Sequence, residues 1–376
     1  MIYDVAVLGG GLGGLAAANL LAEQGWQVRL SEQKKYPFHK VCGEYISTES
    51  EGLLQHFGIP TENFPLIQKL RLTNHQGKGI QHDLGQGGIG VSRFFLDHQL
   101  VQKARKSGVD VREKEKIKEV SFNAAKGLHE IQTVKGATFS AKVVIGAMGK
   151  RPPASYRHHH SQKSRWVGIK HHLAMKEEFP KDFIDLHFFP GGYAGFSAVE
   201  GENRYCFCYL IEQKQLKQYP DFEELEQKVL VQNPAIGAIL SRSEKYWERP
   251  QSISNFQFNR KTPLFQNQLL VGDQAALITP LCGNGMSMAM HAALLASEEI
   301  QLFLRQKQSR GEMEKNYQKK WQHHFNLRLK SGVLLQNLLM QKQMGNALMY
   351  LFEKIPASWQ KQLVDSTRGV PFFEKG

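Results

Sequence analysis

Residues 3–8 (Tyr-Asp-Val-Ala-Val-Leu) are a short, nearly uninterrupted apolar run that ends in Gly9-Gly10-Gly11-Leu12-Gly13-Gly14, a turn that few backbone architectures accept. The run has the length of a buried parallel strand, and apolar residues then continue at helical spacing from Leu15 to Gln24, where Gly25 ends the helix. Residues 27–31 make a second strand, so the first thirty-two residues predict one β-α-β unit. Within it Gly9, Gly11 and Gly14 supply G-x-G-x-x-G. Gly9 permits the tight turn, Gly11 lets a pyrophosphate approach the backbone, and Gly14 lets helix and sheet pack closely; Gly13 stands in the same run. The helix N-terminus adds free N–H groups and a partial positive charge. Glu32 closes the second strand, where an acid can accept hydrogen bonds from both ribose hydroxyls, which disfavours a 2′-phosphate.

A second segment decides which dinucleotide is meant. Val271-Gly272-Asp273-Gln274-Ala275-Ala276 followed by Pro280-Leu281-Cys282-Gly283-Asn284-Gly285-Met286 resembles the second flavin motif of glutathione-reductase-like proteins, FAD-dependent hydroxylases and geranylgeranyl reductases, usually G-D-A-A and then P-x-x-G-x-G. The resemblance implies that Asp273 holds ribityl hydroxyls and that the backbone from Gly283 through Gly285 and Met286 faces the flavin pyrimidine edge. A helix N-terminus there would stabilise the negative charge of a reduced flavin. Ser92-Arg93-Phe94-Phe95-Leu96-Asp97 resembles the S-R-x-x-L-D element of the same superfamily, in which the arginine approaches FAD.

Two further pieces resemble the geranylgeranyl reductase-like branch: the loop Lys40-Val41-Cys42-Gly43-Glu44, and Pro190-Gly191-Gly192-Tyr193-Ala194-Gly195-Phe196, in which Gly195 replaces a frequent tryptophan. Gly146-Ala147-Met148-Gly149 departs from the hydroxylases' G-A-D-G by placing Met148 where their acid stands. On this resemblance Cys42 and Tyr193 are the candidate catalytic side chains. The implied activity is hydride transfer from flavin to a carbon–carbon double bond of a prenyl or polyketide-derived lipid, with NADH or NADPH as electron donor. A flavin monooxygenase and a non-enzymatic flavin-binding protein are the alternatives.

The 376 residues, 41% of them apolar, suffice for two domains. We expect an α/β fold. A Rossmann-like, glutathione-reductase-like FAD domain takes residues 1–152 and 261–300, a β-rich substrate domain 153–260, and a helical C-terminal cap 301–376. Residues 94–106 and 284–304 read as helices, with Asn284 as a cap. Four short strands are expected between 109 and 145, and four more between 166 and 211. The four cysteines form no C-x-x-C pair, and the adjacent His158, His159 and His160 are poorly spaced for one ion, so no metal site is expected.

Of the net charge of +13, residues 301–376 carry 13 Lys+Arg against 5 Asp+Glu. In the same segment Val333, Leu334, Leu335, Leu338, Leu339, Met344, Leu348, Met349 and Phe352 recur at helical spacing. Such a stripe packs on its own protein, lies against an anionic membrane surface or lines a substrate tunnel. No nucleic-acid motif accompanies the charge, so nucleic acid is not an expected partner. Met1 leads straight into a strand without the zones of a signal peptide, which places the expected location in the cytoplasm, with peripheral membrane contact as an option.

Overall fold

The computed structural model describes residues 1–150, 153, 165–254, 256, 258, 263–356, 358–360 and 369–373. The strand Ile2–Leu8 lies between two parallel neighbours, Val28–Glu32 and Thr138–Gly146. Asp110–Glu113 and Gln268–Leu270 extend this parallel set at its two sides, and Leu264–Phe265 closes one edge in antiparallel pairing. The register pairs Leu8 with both Ser31 and Gly146, so the three central strands end together, where an open parallel sheet binds its ligands. Both faces are covered. The hairpin Ile117–Asn123 and Leu128–Thr133 folds an apolar layer, including Val120 and Ile131, against one face.

On the other face Leu12–Ala22 is buried over ten of its eleven residues. It is apolar all round because it is enclosed by the sheet and by the helices Arg93–Lys106 and Gly285–Leu304. Its one polar interior residue, Asn19, donates to the carbonyls of Leu15 (2.9 Å) and Leu100 (3.1 Å). These strands and helices match the expected elements closely, including all four strands between 109 and 145.

The second sheet has nine strands among the described residues. Trp166–Met175, Phe183–Phe189, Gly192–Ala198 and Arg204–Glu212 form its centre, as expected. Three more strands, Tyr45–Ser47, Leu66–Thr73 and Gly79–Gly90, hydrogen-bond into the same sheet, although residues 1–152 were allotted to the dinucleotide domain. The physical reason is pairing: Leu66–Thr73 lies parallel to Phe183–Phe189, with Arg71 opposite Asp185, a partner more than a hundred residues away. Helices Phe222–Lys228 and Pro234–Ser241 cover the outer face of this sheet through Leu225, Ile236 and Ile239.

The long helix Arg310–Met340 opens with a capping box between Ser309 and Glu312. Its buried residues Met313, Tyr317, Trp321, Phe325 and Leu329 recur every fourth position and complete the core of the first sheet. Further along, Leu339 packs against the inner face of the second sheet with Met349 of the last helix, Lys342–Lys354. The C-terminal helices therefore brace both sheets. The predicted stripe divides accordingly, with Leu339 and Met349 buried, Leu335 and Leu348 packed beside them, and Leu334 and Met344 exposed. No helix among the described residues is long and apolar enough to cross a membrane.

Candidate dinucleotide site

The glycine turn has the geometry its sequence requires. Gly9 adopts φ +105°, and a Cβ there would stand 2.3 Å from the Ala147 carbonyl oxygen. A Cβ on Gly14 would stand 2.0 Å from the Gly9 carbonyl oxygen, so only glycine closes this turn. Gly13 serves a different contact: its Cα faces the helix Gly285–Leu304, and a Cβ would come to 3.0 Å from the Ala289 carbonyl oxygen. The two helix N-termini are thereby packed side by side.

Glu32 is 6% exposed, and its two carboxylate oxygens accept the Gly10 and Lys34 backbone N–H groups, each at 2.9 Å. It ties the glycine turn to the end of the second strand, and each oxygen retains a lone pair for a sugar hydroxyl. Tyr36 adds a hydrogen bond from its hydroxyl to the Gly10 carbonyl (2.5 Å).

Gly11 is the N-cap of the first helix, whose opening turn holds no acidic residue. A Cβ on Gly11 would meet nothing nearer than the Arg93 guanidinium and the Lys40 ammonium, both at 3.9 Å. Asp97 is shared by these two cations, accepting two hydrogen bonds from Arg93 (2.8 and 2.9 Å) and an ion pair from Lys40 (2.8 Å). Two positive charges against one carboxylate, facing an uncapped helix N-terminus, leave net positive potential over the one glycine whose face is open. That arrangement fits a pyrophosphate. Lys40 and Asp97 were quoted in sequence motifs, but nothing in their spacing marks them as partners of Gly11.

The second flavin segment lies beside the first. Gln268–Leu270 extends the parallel sheet, and the turn Gly272–Gln274 places Asp273, with a side chain 37% exposed, 3.5 Å from the Lys150 ammonium. Gln274 accepts the Met148 backbone N–H at 2.6 Å, so the position where hydroxylases carry an acid is tied here through its backbone to the second segment. Gly283 has φ +66° and turns the chain into the helix that starts at Gly285; Met286 is buried in its first turn. Asn284 is the N-cap residue, as expected, although its side chain makes no capping hydrogen bond.

The two candidate catalytic residues lie on the inner side of the second sheet. Tyr193 is 3% exposed and donates to Gln336 Oε1 of the long helix (3.1 Å). Burial pushes its phenol well up, and it interacts with Cys282, Cys208 and the Leu281 backbone. Cys42 is half-buried, accepts the Glu44 backbone N–H at 3.5 Å, and interacts with Cys208 and with Arg93. The Cys282 thiol packs on the long helix, where a Cβ at Gly332 would come within 2.8 Å of its sulfur.

A cluster that sequence reasoning passed over joins these parts. Glu44 is fully buried; one carboxylate oxygen accepts the Arg93 backbone N–H (2.8 Å) and the Lys170 ammonium, and the other pairs with His172 Nε2 (2.5 Å). Burial raises the Glu44 carboxyl, but Lys170 and His172 outweigh it and hold it down at about 2. Among the described residues Glu44, His172 and Cys206 bring ligand-type atoms within 4.8 Å of one another. Lys170 already neutralises Glu44, and burial pushes the Cys206 thiol well above its usual range, so this donor set is an ion-paired network, not a cation's. His158, His159 and His160 lie outside the described residues.

Acid should unfold the protein through this cluster. His39, stacked on Phe94 beside His172, is lowered to about 4 by burial and then by Lys170. An unfolded histidine takes its proton near 6.5, so stability falls first as pH drops from about 6.5 toward 4. The Glu44 contribution, complete above about 4.5, is then lost as pH falls toward 2. Thermal melting at pH 7, 5 and 3 checks this; a midpoint constant across that range would refute it.

A family model described as FAD binding domain matches residues 2–322. The chain is 24% identical over 366 residues to conditioned medium factor receptor 1 of Dictyostelium discoideum, covering 89% of this chain and 71% of that protein. It is 25% identical over 369 residues to the digeranylgeranylglycerophospholipid reductase of Methanosarcina acetivorans, covering 85% and 80%. Among solved structures, a geranylgeranyl bacteriochlorophyll reductase-like protein from Thermoplasma acidophilum superposes with TM-score 0.71 at 20% identity, covering 99% of this chain and 94% of that one. The myxobacterial chondrochloren halogenase superposes with TM-score 0.73 at 20% identity, covering 90% and 82%. These two likenesses establish the fold. The match over residues 2–322 shows that the chain belongs to the FAD binding domain family and is an FAD-dependent oxidoreductase.

Proposed function

We propose that the protein reduces a carbon–carbon double bond in a hydrophobic, prenyl-type substrate, with a reduced nicotinamide as electron donor. The observation that carries this reading is an apolar layer between the second sheet and the C-terminal helices. Trp166, Leu186, Phe188, Tyr193, Leu281 and Leu339 meet there, and Leu281 belongs to the second flavin segment. An apolar chain entering between these helices and the sheet would meet this layer and be held chiefly through the water it displaces. At one end a cavity of about 380 Å³ is lined by His75, Pro190, Gly191 and Met340, at the turn that leads into the strand of Tyr193. The exposed Leu334, Met344, Tyr350 and Leu351 on the adjoining helices suit delivery of such a substrate from a lipid surface.

FAD supplies the hydride chemistry when bound. The chain's own residues orient and enclose. Arg93 and Lys40 neutralise the pyrophosphate, Glu32 and Asp273 accept sugar and ribityl hydroxyls, and Tyr193 and Cys42 line the substrate side. In purified protein, Asp273→Ala should lower FAD occupancy several-fold, because an acceptor for charge-assisted hydrogen bonds is lost. Retention of full occupancy would remove Asp273 from the site.

The reaction itself is tested by anaerobic reduction with NADH or NADPH, followed by mixing with a prenyl alkene or with oxygen and an aromatic substrate. Reoxidation by the alkene with formation of a saturated product supports the proposal. Oxygen-dependent product formation alone would turn the reading to a monooxygenase; Met148, in place of an acid, favours the reductase.

A further inference from the structure

Loop 40–44 carries the thiol assigned above to the substrate side, yet it belongs to neither sheet. Several contacts hold it. The Lys170 ammonium donates to the Lys40 carbonyl (3.2 Å), the Cys206 thiol to the Cys42 carbonyl (3.3 Å), and Glu44 closes the loop with the side-chain bonds to Arg93, Lys170 and His172. Lys170, His172 and Cys206 sit on adjacent strands of the second sheet, with Cys206 directly opposite His172. Arg93, by contrast, opens a helix of the dinucleotide layer. One carboxylate therefore joins the two layers.

Its backbone is unusual as well. Glu44 adopts φ +57°, a conformation unfavourable for a residue with a Cβ, and its carbonyl accepts the Val91 N–H at 2.9 Å. A strained, fully buried acid persists only where its surroundings over-determine it. Here they do so through the Lys170 ammonium, the His172 imidazole, the Arg93 N–H and the Val91 N–H.

We propose that Glu44 is a positioning residue: its carboxylate latches loop 40–44 to the second sheet and to the first turn of the Arg93 helix, and so sets where the Cys42 thiol stands relative to the flavin cradle. The latch itself follows from these contacts; its bearing on the flavin rests on the function proposed above. Because Arg93 is gripped at its backbone by Glu44 and at its guanidinium by Asp97, the same latch also orients the pyrophosphate clamp. Lys40, in the same loop, is held at its carbonyl by Lys170 and at its ammonium by Asp97.

The test uses the full chain, with and without FAD, in two variants. Glu44→Asp keeps the charge but shortens its reach, so that the carboxylate cannot meet Arg93, Lys170 and His172 together. The pair Glu44→Gln with Lys170→Met removes both buried charges at nearly constant volume, which keeps the fold available if the first variant does not fold. Each is treated with iodoacetamide, and labelling of Cys42 is separated from that of Cys206, Cys208 and Cys282 by peptide mass mapping. At a temperature where each variant is still folded, Cys42 labelling is expected to rise about tenfold through loop opening and the visible absorption band of bound FAD to shift, while the melting midpoint falls with the weakened buried ion pair. Wild-type labelling rates in a folded variant would overturn the latch. Faster labelling with an unchanged flavin band would overturn the link between the loop and the flavin. If the wild-type chain fails to retain FAD, the flavin reading falls, while the labelling result still decides the latch.

Discussion

Replacing Gly14 by alanine should give a protein that no longer retains FAD and is less stable by about 3 kcal/mol, the upper part of the range for overpacking. The added Cβ would stand 2.0 Å from the Gly9 carbonyl oxygen and 3.1 Å from the Ala147 side chain. The nearer atom is backbone and cannot rotate away. Relief requires the helix to move off the turn, and that movement withdraws the N–H groups that face Arg93 and Lys40. Gly13→Ala is the internal comparison. Its Cβ would meet the Ala289 carbonyl oxygen at 3.0 Å and a Val271 methyl at 3.1 Å, contacts that a few tenths of an ångström relieve. Its expected cost is smaller and its FAD occupancy partial. Flavin absorbance after gel filtration, together with urea unfolding, measures both effects; normal FAD retention by the Gly14 variant would show that the turn tolerates a side chain.

Trp321→Ala should be the most damaging single change in the C-terminal region, at about 3–5 kcal/mol, the usual cost of removing a large buried aromatic. Trp321 is 2% exposed, in a row with Tyr317 and Phe325, and it borders Gly272, Asp273, Ala276 and Met288. Tyr317 strengthens the same contact by donating to the Leu270 carbonyl at 2.6 Å. Truncating Trp321 opens a cavity beneath the turn that presents Asp273, so FAD affinity should fall along with stability. Since a domain's total stability is about 5–15 kcal/mol, the variant should be partly unfolded near physiological temperature. Trp321→Phe should recover most of the loss. A urea midpoint within experimental scatter of wild type for the alanine variant would mean that the helix only rests on the domain.

Much of the first layer was legible because its determinants are local. The glycine turn needs residues without a Cβ, the adjoining strand needs an apolar run, and helix length follows from apolar spacing over a dozen residues. The second flavin segment was legible for the same reason, with its turn glycine at Gly283 and its helix start at Gly285 only two residues apart. The placement of Leu66–Thr73 and Gly79–Gly90 in the second sheet was not. Gly79–Gly90 holds five glycines in twelve residues, a poor strand sequence, and its partner strand supplies the hydrogen bonds that make it a strand.

The sequence by itself determined that this chain has a flavin-dinucleotide turn, a parallel sheet to carry it and a helical C-terminal region, because each is encoded in the steric and apolar pattern of neighbouring residues. Tertiary structure alone decided that Lys40 and Arg93 share Asp97 above Gly11, and that the C-terminal helix completes the flavin layer. It alone also decided that Glu44 would be a buried charge. Its partners Lys170 and His172 lie 126 and 128 residues away. A glutamate in a polar loop is ordinarily solvated; only folding, by bringing an ammonium, an imidazole and a helix N–H to it, makes its burial favourable.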